Sequence, residues 1–215
     1  MNARASRRID AAAHHHGGDA RETGMFEHLP AHVGHALRRV RPGLDKILCN
    51  DPAFADAPVL PVHSRAFDDG APLPQRYTAD GEGLSPPVQW HHVPAGARSI
   101  VLVVEDADSP TPRPLVHAIV WNLPGEDGVL GEGVLNAMHA TGSQDLGRNS
   151  LLQHAWLPPD PPPGHGPHRY AFEVFVLDRV PAHGEAPGRG RLLELLRGHV
   201  LASGLLLGTY ERRTC

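Results

Sequence analysis

From Val59 onward the chain is a series of short apolar runs separated by clusters of proline and glycine. These runs predict strands over Val59 to Phe67, Val88 to His92, Ile100 to Asp106, Leu115 to Trp121, Tyr170 to Leu177 and Leu205 to Tyr210. No long helical repeats stand between them, so antiparallel pairing in a β-sandwich is expected rather than βαβ alternation. Helical spacing occurs twice. Between Met25 and Leu48 the apolar residues Phe26, Leu29, Val33, Leu37, Val40, Leu44, Ile47 and Leu48 recur near the helical period; Pro30 suits a helix start and Pro42 a break. Leu192 to Ala202, bracketed by Gly190 and Gly204, reads as the single late helix.

The first residues contrast with this pattern. Met1 to Gly24 is small, polar and histidine-bearing, has almost nothing to bury and is expected to be disordered. Three parts follow: a disordered tail over residues 1–24, an accessory helical extension and linker over 25–56, and one domain over 57–215. His14 to His16 are better read as part of a solvated tail than as a metal site, because three adjacent imidazoles without a scaffold have no defined geometry. Arg38, Arg39 and Arg41 make the extension basic and amphipathic, a pattern shared by membrane-surface helices. Its apolar positions are few, and packing on its own domain or on a second copy of the chain is preferred.

Composition narrows the function. The 215 residues suffice for one sizeable core, and 22 prolines and 23 glycines fit an all-β fold with many turns. A formal net charge of -4 argues against nucleic acid as a partner, since that needs a cationic surface to displace counterions. Cys49 and Cys215 form no CxxC pair and no metal-ligand spacing, so no disulfide framework is implied. The first residues show no signal-like apolar core and no transmembrane segment is visible, which makes the cytoplasm the expected compartment.

The chemistry concentrates in two segments. In Pro161 to Tyr170 (PPPGHGPHRY) imidazoles sit beside glycines at the mouth of an apolar strand. In an extended chain His168, Tyr170 and Phe172 share one face while Arg169, Ala171 and Glu173 take the other. In Ser99 to Pro124, Asp106 and Asp108 continue the face of Leu102 and Val104, and His117 falls on the face of Ile119 and Trp121. Carboxylates ending an apolar face need partners, because burying even a neutral polar group unpaired costs roughly 2–7 kcal/mol. Histidines are the obvious ones. Taken alone, however, Asp106 and Asp108 also suit a turn before Ser-Pro, and His117 also suits a core histidine satisfied by a carbonyl.

Three elements together resemble the phosphatidylethanolamine-binding protein (PEBP) family, and within it the bacterial Raf kinase inhibitor-like or YbhB/YbcL branch. They are Asp-x-Asp-x-Pro at Asp106 to Pro110, a histidine in a strand closing on asparagine at His117 and Asn122, and Gly-x-His-Arg-Tyr at Gly166 to Tyr170. The resemblance runs from about Pro61 to the C-terminus. It departs from the family at Trp156 to Asp160, where many bacterial members place a tyrosine and Gly-Pro.

The resemblance implies a mainly β, Greek-key antiparallel sandwich with a few peripheral helices. It also implies a small anion pocket for phosphate-containing ligands, such as a phospholipid head group or a nucleotide. Asp106, Asp108, His117, Gly166, His168 and Tyr170 would form that pocket, with Pro110, Trp156 and His165 at its rim. His117 and His168 would donate to the anion, with the aspartates raising their pKa values. An inhibitory role on a kinase or other enzyme is part of the same implication, and self-association is a further expectation. No cofactor is expected. His165 and His168 lack the helical context of a zinc motif, so no metal is expected either, and with no GxSxG elbow no catalytic residue is assigned. The alternative is a hydrolase acting on phosphate or carboxylic esters through the Asp-His cluster.

Overall fold

A computed structural model describes residues 30–142, 145–181 and 186–212; the expectations for residues 1–24 lie outside them. The architecture is mainly β, with two antiparallel sheets. Strands β1 (Val62–His63), β2 (Val88–Trp90) and β5 (Gly128–Leu130) form a small sheet in the order β1-β2-β5. A larger sheet has the order β4-β3-β6-β7, from β3 (Ser99–Asp106), β4 (Leu115–Pro124), β6 (His168–Leu177) and β7 (Val200–Tyr210). Among the described residues three short α-helices accompany them: α1 (Ala31–Leu37), α2 (Val134–Ala140) and α3 (Arg189–Leu196). β3 pairs with β6 along its whole length although two strands and a helix intervene in the chain, the non-local pairing of a Greek key.

The central strands β3 and β6 of the large sheet are buried on both faces, which is why β3 reads as an apolar run. Leu102, Val104, Val174 and Val176 face the small sheet and pack with Val88 and Trp90. Val101, Val103, Phe175 and Leu177 face the other way and are covered by Leu192 and Leu196 of α3 and by Leu48 and Phe54. Those last two residues lie in short 3-10 turns at Leu48–Asn50 and Pro52–Phe54, within the stretch read from the sequence as an accessory extension. Two acids sit on this outer face. Glu105 and Glu173, both fully buried, accept the backbone N–H of Leu48 and of Cys49, and Arg189 at the start of α3 pairs with Glu105 at 2.5 Å.

Several elements differ from the sequence expectation. The helix expected over Leu192 to Ala202 ends at Leu196 because Gly198, at φ +76°, turns the chain back so that β7 pairs with β6 from Val200. Of Val59 to Phe67 only Val62 and His63 form a strand. The helical period before Leu48 yields α1 alone, broken before Pro42 as expected and followed by 3-10 turns; residues 25–29 lie outside the described ones. β5, of three residues, and α2, of seven, are too short to have stood out in the sequence.

Candidate functional site

The ends of β3 and β6 meet in register, with Asp106 opposite Tyr170. The even-numbered residues His168, Tyr170 and Phe172 share a face with Asp106, as strand parity requires. His117 does not obey simple parity. Its neighbours Val116 and Ala118 pair with the consecutive residues Glu105 and Val104, so His117 is the extra residue of a β-bulge. The bulge carries it away from the face of Ile119 and Trp121, where parity puts it, and edge-on to Tyr170 at 5.2 Å between ring centroids. Segment 156–158 closes over it, with Leu157 N–H donating to the His117 carbonyl and His117 Nδ1–H donating to the Leu157 carbonyl at 2.6 Å.

A cavity of about 20 Å³ opens here, walled by Asp106, His117, His168 and Pro110. That is room for about one water molecule. Proline and leucine side chains and Asp160 complete the wall, none of them anticipated as site residues. Asp160 is ion-paired to Arg212 at 2.7 Å. Ser109, also at the wall, is hydrogen-bonded to Thr111 at 2.7 Å and to the Asp106 carbonyl, and not to an imidazole.

The other expected residues sit around this cavity. Tyr170 lies behind His117 and His168, fully buried, and its hydroxyl has no hydrogen-bond partner. Asp108 is turned away: its carboxylate takes a two-pronged bond from Arg169 at 2.7 and 2.8 Å and an ion pair from Arg41 at 3.2 Å. Burial raises its pKa, but the Arg169 bonds outweigh this and hold it below the usual carboxylate value. Gly166, at φ +91°, packs near the guanidinium groups of Arg38 and Arg41. Trp156 is buried against His117 rather than exposed at a rim. His165, also expected at the rim, is fully buried behind His168.

At both histidines the arrangement differs from the expected pair of free donors. Burial pulls the pKa of His117 below that of an ordinary histidine, against the opposing effects of Asp106 and the Leu157 carbonyl. With Nδ1–H committed to Leu157, the neutral ring presents Nε2 as a bare, buried acceptor with no partner. His168 has neither nitrogen free: Nδ1 is 2.7 Å from Asp106 Oδ2 and Nε2 is 2.7 Å from His165 Nδ1. The described residues hold no group of three or more metal-ligating side chains.

The chain is similar to known proteins over most of its length. Residues 63–211 match the family model described as phosphatidylethanolamine-binding protein. A UPF0098 protein of Methanothermobacter thermautotrophicus is 35% identical over 70% of this chain and 98% of its own length. One from Chlamydia trachomatis is 38% identical over 71% of this chain and 99% of its own. Among solved structures, a phosphatidylethanolamine-binding protein homologue from Chlamydia trachomatis superposes with a TM-score of 0.63 at 35% identity, covering 73% of this chain and 99% of that one. Escherichia coli YbcL shares the fold, with a TM-score of 0.64 at 24% identity over 71% of this chain and 98% of its own. The three sequence elements that frame the cavity fall within the matched residues, and the chain belongs to the phosphatidylethanolamine-binding protein family.

Proposed function

We propose that the chain binds a small phosphate-bearing molecule, such as a phospholipid head group, with a phosphoryl oxygen entering the cavity beside His117. The observation that carries this reading is the buried, unpartnered His117 Nε2 at the cavity wall, with the ring of Tyr170, whose buried hydroxyl is also unpartnered, edge-on behind it. A buried polar group without a partner costs about 1–3 kcal/mol, so two on neighbouring rings favour a ligand that satisfies them. Tyr170 supplies an O–H donor. Neutral His117 supplies an acceptor, which takes a proton either from a protonated phosphate oxygen or from solution. The wall carboxylates do not oppose an anion, since His168 faces Asp106 and Arg212 faces Asp160. The cavity admits only the tip of such a ligand and leaves its ester substituents outside. Ser109, bonded away from the histidines, supports binding over hydrolysis.

Calorimetry with glycerophosphoethanolamine, a soluble phosphodiester head group, tests the site. Tyr170→Phe should weaken binding about threefold or more while leaving unliganded stability within about 1 kcal/mol, because the lost hydroxyl had no partner to lose. His117→Gln should also weaken it. Unchanged affinity in both variants would place the ligand elsewhere.

A further inference from the structure

The chain N-terminal to the family match reaches the loop behind this pocket. Its arm, α1 and the residues to Gly43, lies against the Pro162–His168 loop. A Cβ on Gly34 would stand 2.0 Å from the Pro163 carbonyl oxygen, an approach only glycine permits. Arg41 is inserted between the loop and Asp108. Its Nη1 donates to the Pro167 carbonyl at 2.7 Å and pairs with Asp108 at 3.2 Å, and its Nη2 donates to the His165 carbonyl at 2.5 Å.

These contacts decide which protons the pocket histidines carry. The Leu37 carbonyl, 2.9 Å from His165 Nε2, can only accept, so Nε2 bears a hydrogen. His165 Nδ1 then has a lone pair, which faces Arg41 Nη2 at 3.4 Å and His168 Nε2 at 2.7 Å. His168 must donate through Nε2, pointing that N–H away from the cavity and leaving Nδ1 to share a proton with Asp106. The opposite tautomer of His165 would aim an N–H at the guanidinium and leave the Leu37 carbonyl bare.

We propose that Arg41 is a positioning residue of the pocket: with the Leu37 carbonyl it fixes His165 as an acceptor toward His168, and so orients the His168–Asp106 pair at the cavity wall. The affinity part of this inference rests on the ligand reading above; the protonation part does not. The groups facing His165 are His168 and Asp106 from the strands and Arg41 from the arm. Arg38 approaches across Gly166, and the His35 ring packs on Gly164. Burial, His168 and Arg41 lower the pKa of His165, and the Leu37 bond opposes them.

The test uses the full chain, labelled with ¹⁵N, as wild type, Arg41→Gln, Arg41→Lys and, as a control, Arg39→Gln at an exposed arginine of the same arm. Imidazole nitrogen shifts are followed from about pH 5 to 8, the range of histidine titration, and glycerophosphoethanolamine binding is measured beside them. In wild type, His165 should show the single Nε2–H tautomer. In Arg41→Gln its titration should move to higher pH and the His168 nitrogens should shift. Affinity should fall about threefold to tenfold, the size of one net hydrogen bond. Arg41→Lys, which keeps the charge but cannot span the same acceptors, should fall between, and Arg39→Gln should match wild type. Unchanged His165 and His168 signals in Arg41→Gln overturn the proposal, as they do in Arg41→Lys if the glutamine variant does not fold. Altered signals in a protein that binds no probe would support the wiring and reject the ligand reading; lost affinity with unaltered signals would do the reverse.

Discussion

His117 shows how much one residue's position owes to its backbone. Strand parity sends it to the face of Ile119 and Trp121, and a single extra residue in the β3–β4 ladder returns it to the side of Asp106 and Tyr170. Parity did place Asp106 with Leu102 and Val104, and His168 with Tyr170 and Phe172, because β3 and β6 pair without interruption. A bulge leaves no such trace in the order of apolar residues. His165 was illegible for another reason, since its partner, the Leu37 carbonyl, is 128 residues away and is backbone. The buried, neutral His117 also makes stability depend on pH. Its folded pKa lies below the ordinary 6.5, so the unfolded chain binds the extra proton first. Stability from this group is therefore complete above about pH 6.5 and is lost as pH falls toward the depressed folded value, with a limiting slope of about 1.4 kcal/mol per pH unit. Urea unfolding over that range should show His117→Gln losing less stability on acidification than wild type; parallel curves would mean that His117 is not buried neutral. In binding the sign reverses. A phosphodiester brings no proton, so its affinity should rise as pH falls and His117 becomes able to donate, and His117→Gln should flatten that rise.

At the scale of elements, the sheet's outer face is tied down by acids that the apolar pattern did not reveal as structural. Glu105 joins β3 to the Leu48 backbone and, through Arg189, to α3; Glu173 joins β6 to the Cys49 backbone. Burial first and Glu105 second push the Glu173 pKa well above the ordinary 4.5, which favours the protonated acid in the fold. The sign is unfavourable at neutral pH. The unfolded chain gives up that proton above about pH 4.5, and folding must restore it. Glu173→Gln, which copies the protonated acid, should be neutral or stabilising at pH 7, and the gain should vanish below about pH 4.5. Arg189→Ala should act oppositely, costing about 3–5 kcal/mol by leaving Glu105 without its counter-charge. Urea midpoints of the two variants at pH 7 should bracket wild type, and a destabilised Glu173→Gln would mean that the carboxyl is ionised. The strands of the large sheet were legible because their apolar runs are long. The α3–β7 boundary was not, since leucines on either side of Gly198 continue the helical spacing that glycine interrupts.

For the whole molecule, the family match and the structural domain do not begin at the same residue. The match starts at residue 63, yet Ile47 and Leu48, each 1% exposed, and Phe54, 4% exposed, are sealed into the core well before it. Full burial of such a side chain contributes about 1.5–3 kcal/mol, so three of them rival the roughly 5–15 kcal/mol by which a domain is stable. Removing them would also strip Glu105 and Glu173 of their backbone donors and expose the outer face of β3 and β6. The arm before Gly43 is different in kind: α1 buries only Gly34 and touches the loop at the cavity rather than the core. Two truncations separate these roles. A chain beginning at Gly43 should unfold cooperatively near the urea midpoint of the full chain, while showing the altered His165 and His168 signals expected when Arg41 is lost. A chain beginning at Ala55, although it contains every residue of the family match, should lose most of its stability and give a broad, low transition. If the Ala55 chain unfolded at the full-length midpoint, the 3-10 turns would be a covering rather than part of the core, and the domain would begin where the match does.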